Sequence, residues 1–423
     1  MRPPHLPLFA RVLIGVALGA VAGIAFGTGH VVPGVTTGDL GAIGILVVRI
    51  LKMLAVPLVT FAVLDAVVRT NISGRMGGRL VLICLTNVSV AFVIGLTLMN
   101  TIEPGNTWYG HLDDLASAPG LAAPKHAPPD ATLSPLANLT KLIPESAVQP
   151  FAENNVIAVV LLAILGGAAI RRVRREPDGA EPAAAVERFI EGTYRVLARM
   201  LAWVVEAAPF AVFGVVAQVV GKAGLDVFAS LWAFVVVILL GFTLHALVYY
   251  PLMAWLVGRK PPRVYLGRGA DAIMTGLSTN SSLATVPVTL RCLDAMEVSP
   301  ESSRLAACIG TNLNNDGITL YEAMAALFLA QALGYDLSLG AQVTIVLASL
   351  MAGMGVAGVP EAGLIVLPLV LSAAGLPEPV VAALLPLVFT VDWILARGRT
   401  AVNVMADMLV AVLLDRWQRV KGI

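Results

Sequence analysis

Long apolar runs separated by short polar gaps dominate the first 260 residues. The runs at 8–26, 40–68, 78–101, 135–170, 195–220 and 228–257 each approach or exceed the ~20 residues that a helix needs to cross a bilayer. Beyond them the pattern changes. Gly267 to Cys292 holds the polar centre STNSSLATVP, and Ala348 to Pro377 holds the glycine-rich centre MAGMGVAGVPEAG, so each reads as two short apolar arms around a breaker. A long segment with a polar motif follows each, 304–332 after the first and 379–415 after the second. Such a doubled pattern points to paired repeats with a site near the bilayer midplane. The motif in the first of these segments, TNLNNDG at Thr311 to Gly317, is turn chemistry inside an apolar run. Irregular backbone at that depth persists only where it is buried in protein or lines a cavity.

The second segment is the most informative. Val391 to Asp407, VDWILARGRTAVNVMAD, places Asp392, Arg399, Asn403 and Asp407 at spacings of seven, four and four, hence on one helical face. A charge at the centre of a membrane helix costs roughly 2.5–3.5 kcal/mol on insertion scales and needs a partner, a watery cavity or a ligand. That face is expected to look inward.

Composition agrees with a polytopic membrane protein: 58% of the 423 residues are hydrophobic and 13% charged, with a mean hydropathy of +0.85. A net charge of +1 gives no field suited to nucleic acid. The bases cluster instead in alternate gaps: Arg69, Arg75 and Arg79; Arg171, Arg172, Arg174 and Arg175; Arg259, Lys260 and Arg263; and Arg416, Arg419 and Lys421. The positive-inside rule puts these clusters and both termini in the cytoplasm, for a multi-pass protein of the inner (plasma) membrane. Leu8 to Phe26, with Arg2 before it and Arg11 near its start, also has the form of a signal peptide. Residues 102–135, rich in Pro, Ala, Gly and Asp, read as a poorly ordered extracellular-side loop. The sequons at Asn138 and Asn71 matter only in a glycosylating host. Cys84, Cys292 and Cys308 lack metal or redox spacing and read as small buried hydrophobes.

Five motifs in order, LKMLAVPL (51–58), TNSSLATVPVTLRCL (279–293), TNLNNDGITLYEAMAALFLAQ (311–331), GVAGVPEAG (355–363) and VDWILARGRTAVNVMAD (391–407), resemble the dicarboxylate/amino-acid:cation symporter family, which includes the animal excitatory amino acid transporters. The likeness runs from about residue 40 to 415, apart from the 103–135 loop. It implies an all-α polytopic membrane protein of eight transmembrane helices plus two re-entrant hairpins, at about 262–292 and 338–375, with inverted repeats, in a homotrimer of elevator type. It further implies scaffold spans 1 and 2 within 1–77 and spans 4 and 5 within 135–224. The transport domain takes span 3 and the loop (78–134) and the remainder (225–423).

The resemblance also assigns a site. Arg399 offers a guanidinium fork for a carboxylate, with a salt bridge to a neighbouring acid as the plainer role. Backbone N–H groups at the hairpin tips, around Ser281, Ser282, Gly358 and Gly363, would hold a second carboxylate. Thr400 and Asn403 add a hydroxyl and an amide. For sodium, Gly310, Asn314, Asn403 and Asp407 match one of the family's cation sites, and Asp316 persists from another whose remaining ligands appear as Cys84, Asn87 and Val88. The methionine that usually precedes Asp316 is Asn315. Glu322 matches a proton carrier of the animal members, and Ala, Met and Leu around it would desolvate its charge. Two departures bear on the solute. Ala396 stands where amino-acid carriers have an aspartate for the ammonium group, and Ile318 replaces a threonine, so a C4-dicarboxylate leads. Glu361 and Arg397 support the alternative, an acidic or neutral amino acid.

The expected partners are a small anionic solute, cations and the lipid bilayer, with no nucleic acid and no cofactor beyond a sodium ion. Proton-coupled uptake leads and sodium-coupled symport is the alternative. A passive anion channel is more remote, as is an intramembrane enzyme using Ser281 or Ser282, since none of the five histidines falls beside a serine motif.

Overall fold

The computed structural model describes residues 8–69, 74–108, 146–153, 156–312, 314–354, 362–376 and 378–420. Helix α1 (Leu8–Phe26) leads through a small antiparallel ribbon, β1 (His30–Val32) and β2 (Val35–Thr36), into α2 (Thr37–Arg69) and α3 (Gly74–Ile102). The ribbon corrects the all-helical expectation: Pro33-Gly34 turns the chain, with Gly34 at φ 82°, a conformation that needs no Cβ. A short turn α4 (Gln149–Ala152) precedes α5 (Val156–Val173), α6 (Ala180–Glu206) and α7 (Ala208–Ala223).

Two of the predicted spans are therefore broken. Of the 135–170 run, 135–145 lie outside the described residues, and the helix proper begins only at Val156. The 195–220 run divides at Ala207, with a 44° bend between its two parts, because Pro209 in the first turn of α7 has no N–H to continue the ladder.

Helix α8 (Asp226–Thr243) passes through a π-helical turn, Leu244–Tyr249, into α9 (Tyr250–Leu256). The first predicted hairpin is α10 (Pro262–Thr279) and α11 (Ser282–Ala295), parted at Asn280, whose φ of 52° and ψ of 34° stop the helix. Helix α12 (Pro300–Arg304), a π-turn (Leu305–Ile309) and a 3₁₀ turn (Gly310–Asn312) lead to α13 (Asp316–Ala332). The second hairpin is α14 (Leu339–Met354) and α15 (Ala362–Ala373), and α16 (Glu378–Val420) ends the described chain. At ~1.5 Å per residue α16 measures about 65 Å, twice a bilayer's hydrocarbon core.

Among the described residues, Met76–Ile102 and Leu231–Leu256 are long and apolar enough to cross a membrane, and the bent pair Ala180–Val204 with Pro209–Lys222 adds a third. In the last third α11, α13, α14 and α15 are 14, 17, 16 and 12 residues long, each shorter than a full crossing. Lipid-type exposure is nonetheless plain: Val21, Ile24, Trp203, Phe210, Trp232 and Val236 all stand on the outer surface.

Two packing groups organise the helices. In one, α2 lies against α5, α6 and α7, and α1 lies along α7. In the other, α3, α8, α13 and α16 pack with both hairpins around a core that includes Phe234, Tyr321 and Phe328. The Phe234 and Phe328 rings meet at a 37° tilt with centroids 4.5 Å apart. The start of the 102–135 loop is not loose. A 3₁₀ turn at Pro104–Trp108 buries Trp108 against Phe328, and Gln331 spans from the Gly105 N–H to the Met99 carbonyl, at 3.2 and 2.8 Å. Residues 109–145, the Asn138 sequon within them and the Asn71 sequon lie outside the described residues.

The α1–α7 contact rests on Gly15, Gly19 and Gly23, one helical turn apart, where any Cβ would overlap the α7 backbone or Val220. Lipid tails are as apolar as leucine, so helices in a membrane gain from close backbone approach through small residues. Gly19→Leu is expected to overpack this seam and cost about 1–3 kcal/mol or more. Val21→Leu, on the outer face, is the matched control. Thermal unfolding of the detergent-purified variants checks this, and equal melting temperatures would refute the seam.

Candidate functional site

Helix α16 carries the site because its polar face has nowhere to go but inward. Asp392, Arg399, Asn403 and Asp407 are all buried, as the seven-four-four spacing predicts, and so is Thr400. Arg399 does not stand alone. Its two terminal nitrogens donate to Asp392 Oδ1 and Oδ2 at 2.6 and 2.9 Å, with side chains only 3% and 1% exposed. The plainer role foreseen for Arg399, a salt bridge to a neighbouring acid, is thus present. A seven-residue separation places the two groups two turns apart on one face, within reach of a long guanidinium arm.

Around the pair the packing is tight. The Tyr321 ring lies under the guanidinium, 4.2 Å from centroid to carbon. Gly363 brings α15 so close that a Cβ there would sit 2.7 Å from the guanidinium carbon. Gly317 lets the first turn of α13 meet the Arg399 backbone, where a Cβ would overlap it. One residue on, Thr400 donates to Asn280 Oδ1 at 3.0 Å, which joins the tip of the first hairpin to α16. Ser281 caps α11 by accepting from the Ala284 N–H at 3.2 Å, and Ser282 opens that helix, nearly buried. Ile318 and Ala396 are buried and add only apolar surface. Gly358 and Glu361 lie outside the described residues.

The polar island supplies a second cluster. Thr311 donates its hydroxyl to Asp407 Oδ2, and the Asn314 amide reaches Asp407 Oδ1 at 3.5 Å. Asn314 Oδ1 is buried with no hydrogen-bond partner. An orphaned amide oxygen beside a buried carboxylate suits a hard cation. Of the four expected sodium ligands, Asp407 and Asn314 meet. The Gly310 carbonyl accepts from the Asn314 N–H at 2.8 Å, which occupies one of its two lone pairs. Asn403 turns elsewhere: its Oδ1 accepts from the Gly317 N–H at 2.8 Å and its amide donates to Asn315 Oδ1 at 3.3 Å. The reason is local, since the close approach at Gly317 buries a helix-initial N–H that needs an acceptor. Asn315 in turn donates to the Gly353 carbonyl at 3.0 Å and ties the second hairpin to the island.

Two further carboxylates lie in the same region. Glu322 is fully buried, and neither of its oxygens has a hydrogen-bond partner. Asp316 accepts from the Tyr250 hydroxyl at 2.7 Å and lies 3.3 Å from His245 Nε2. Cys84 and Val88 are buried apolar neighbours, and the Asn87 side chain takes the Tyr249 hydroxyl at 2.9 Å.

Sequence reasoning missed Thr311, Tyr321, Tyr249, Tyr250 and His245 as site residues. The only local signal for the last three is polar aromatic rings inside an otherwise apolar run; their partners are 66 to 162 residues away.

A family model described as the sodium:dicarboxylate symporter family matches residues 8–417. Excitatory amino acid transporter 1 of Ambystoma tigrinum is 29% identical over 430 residues, covering 89% of this chain and 77% of its own. Excitatory amino acid transporter 3 of Mus musculus is 29% identical over 416 residues, covering 86% and 76%. The mouse excitatory amino acid transporter 1 reaches 32% over 286 residues, 66% of this chain and 51% of its own. A mostly helical chain with an inward polar face, two broken hairpins and a family match across nearly its whole length belongs to the sodium:dicarboxylate symporter family, a family of membrane transporters.

Proposed function

We propose that this chain is a secondary active symporter that carries a small anionic amino acid together with sodium. The observation that carries the reading is a charge imbalance. Asp316, Glu322, Asp392 and Asp407 are buried around the site with only Arg399 as a buried arginine among the described residues, and Asp392 already neutralises it. An anionic solute entering such a low-dielectric region needs added cations to offset it. The orphaned Asn314 oxygen beside Asp407 supplies a place for sodium, and Glu322 is the residue to carry a proton. The solute's carboxylate displaces Asp392 from the Arg399 fork in this reading, with Thr400, Asn403, Ser281, Ser282 and Gly363 as the surrounding contacts and Gly358 on the family resemblance alone.

The relatives' names favour an amino acid over the dicarboxylate that leads on sequence alone. A net charge of −1 also suits a site whose single arginine is already paired better than a charge of −2 does. Ala396 favours the second reading, a C4-dicarboxylate, because it offers an ammonium group no acceptor. Competition of L-aspartate and succinate in proteoliposomes, with and without a sodium gradient, decides between them; uptake indifferent to both solutes and to sodium would reject the proposal.

The two packing groups support an elevator arrangement: α1, α2 and α5 to α7 as a scaffold and the remainder as the moving part. Eight spans, two re-entrant hairpins, a homotrimer in the plasma membrane and cytoplasmic termini complete the reading.

Three outcomes are expected. Arg399→Ala strands Asp392 without its partner and costs about 3–5 kcal/mol of stability. Combining Arg399→Gln with Asp392→Asn restores most of the melting temperature while uptake stays lost; a single variant that melts like the wild type would show the pair to be incidental. Glu322→Gln mimics a permanently protonated carrier, so uptake loses its dependence on external pH and net transport falls. Steep pH dependence persisting in that variant moves the proton elsewhere. Ala396→Asp favours aspartate and disfavours succinate, since the new charge attracts an ammonium group and repels a second carboxylate. Competition assays on both proteins measure the ratio, and an unchanged ratio removes residue 396 from the specificity argument.

A further inference from the structure

Helix α6, remote from the site, turns two adjoining stripes outward. Phe189, Val196 and Trp203, seven residues apart, are 64%, 59% and 64% exposed. Arg188, Arg195 and Arg199, also exposed, form a line roughly a quarter turn round the helix from them. The acids between these arginines are taken up by the scaffold: Glu191 pairs with Arg69 of α2 as well as with Arg195, and Glu187 pairs with Arg174 at 3.1 Å. Among the described residues Arg188 and Arg199 have no carboxylate within ion-pair distance. Glu181 and Glu206 stand on the same line at its two ends, and neither pairs with it.

Depth follows from the bent pair of α6 and α7. From Trp203 to Ala223, the end of α7, the chain runs about 20 residues, or roughly 30 Å of helix, the thickness of a hydrocarbon core. Trp203 therefore sits near one interface, where tryptophan is favoured, and Arg199 and Arg195 follow one and two turns beyond it, at headgroup depth. This is the end at which Arg69 closes α2 and Arg171 and Arg172 close α5, the side that the positive-inside rule gives to the cytoplasm. Helix α6 does not leave the bilayer directly. Its Phe189 ring meets that of Phe61, about two turns inward from the Arg69 end of α2, with centroids 6.0 Å apart. The N-terminal half of α6 thus runs obliquely along the boundary.

Arginines on one stripe with phenylalanine and tryptophan on the next are the pattern of a helix lying against a membrane surface. A second copy meeting this face through the same face would bring like charges together. Lipid phosphates bring the opposite charge to the same depth. We propose that Arg188, Arg195 and Arg199 hold the headgroups of anionic phospholipid in the cytoplasmic leaflet, with acyl chains over Val196 and Trp203 and Phe189 at the boundary. The scaffold is thereby fixed to the leaflet while the other packing group remains free of it. The inference rests on the membrane reading of the chain and is independent of the solute and its ions.

Brominated lipid tests it at the residue itself. Bromine on an acyl chain quenches a tryptophan that the chain touches, and the difference between wild type and Trp203→Phe isolates Trp203 from the other tryptophans. The full chain is reconstituted into vesicles of phosphatidylcholine and phosphatidylglycerol at a two-to-one ratio, with bromine on one lipid or the other. At low salt Trp203 is expected to prefer phosphatidylglycerol by about fivefold for each arginine engaged, the equivalent of ~1 kcal/mol per base near a charged leaflet. The triple variant Arg188→Gln, Arg195→Gln, Arg199→Gln is expected to lose the preference. Arg263→Gln with Arg304→Gln, exposed bases of the other packing group, is expected to keep it. Equal quenching by both lipids in wild type overturns the proposal, as does a preference that survives the triple variant. Quenching by neither lipid shows that a second copy covers Trp203 and overturns it too. Loss of the preference on adding inorganic phosphate shows an anion site open to water, which also refutes a lipid surface. If the triple variant does not fold, Arg199→Gln alone carries the same comparison.

Discussion

The structure depends on burying one guanidinium in a region with little water. Arg399 is stable there because Asp392, two turns earlier on the same helix, accepts from both of its terminal nitrogens. Removing either partner would strand a charge, so the pair is committed as a unit. Its other neighbours follow from that commitment. Tyr321 offers a ring face, Gly363 admits a second helix against the fork, and Gly317 admits a third against its backbone. Two helices besides its own, α13 and α15, thus converge on one residue.

The polar island at 311–317 solves a related problem. A helix broken at membrane depth exposes backbone N–H and C=O groups that no lipid can satisfy. Here Asn403 takes the Gly317 N–H, Asn315 takes the Gly353 carbonyl, and Thr311 and Asn314 turn to Asp407. Each bond also joins two elements, so local satisfaction and assembly of the site are the same event. Asp316 and Asp407 are both buried acids that accept from the protein, Asp316 from the Tyr250 hydroxyl and Asp407 from Thr311 and Asn314.

Much of this was legible in the chain itself. The seven-four-four spacing of Asp392, Arg399, Asn403 and Asp407 determined that these groups share a face, and the cost of charge in lipid determined that the face looks inward. Asn280 and the serines after it determined a helix break and an N-cap, both present in the first hairpin. Motif order from LKMLAVPL to VDWILARGRTAVNVMAD was enough for the family.

Other features belonged to the tertiary structure alone. The stripe of Gly15, Gly19 and Gly23 has meaning only against α7, almost two hundred residues later. The bidentate hold of Asp392 on Arg399, the turn of Asn403 away from Asp407 and the hydrogen bond from Tyr250 to Asp316 were decided in the same way. Periodicity is a property of one helix, so it tells which side is buried. Which donor meets which acceptor depends on how separate helices pack, and pairs such as Tyr250 with Asp316 or Thr311 with Asp407 exist only once that packing has brought them together.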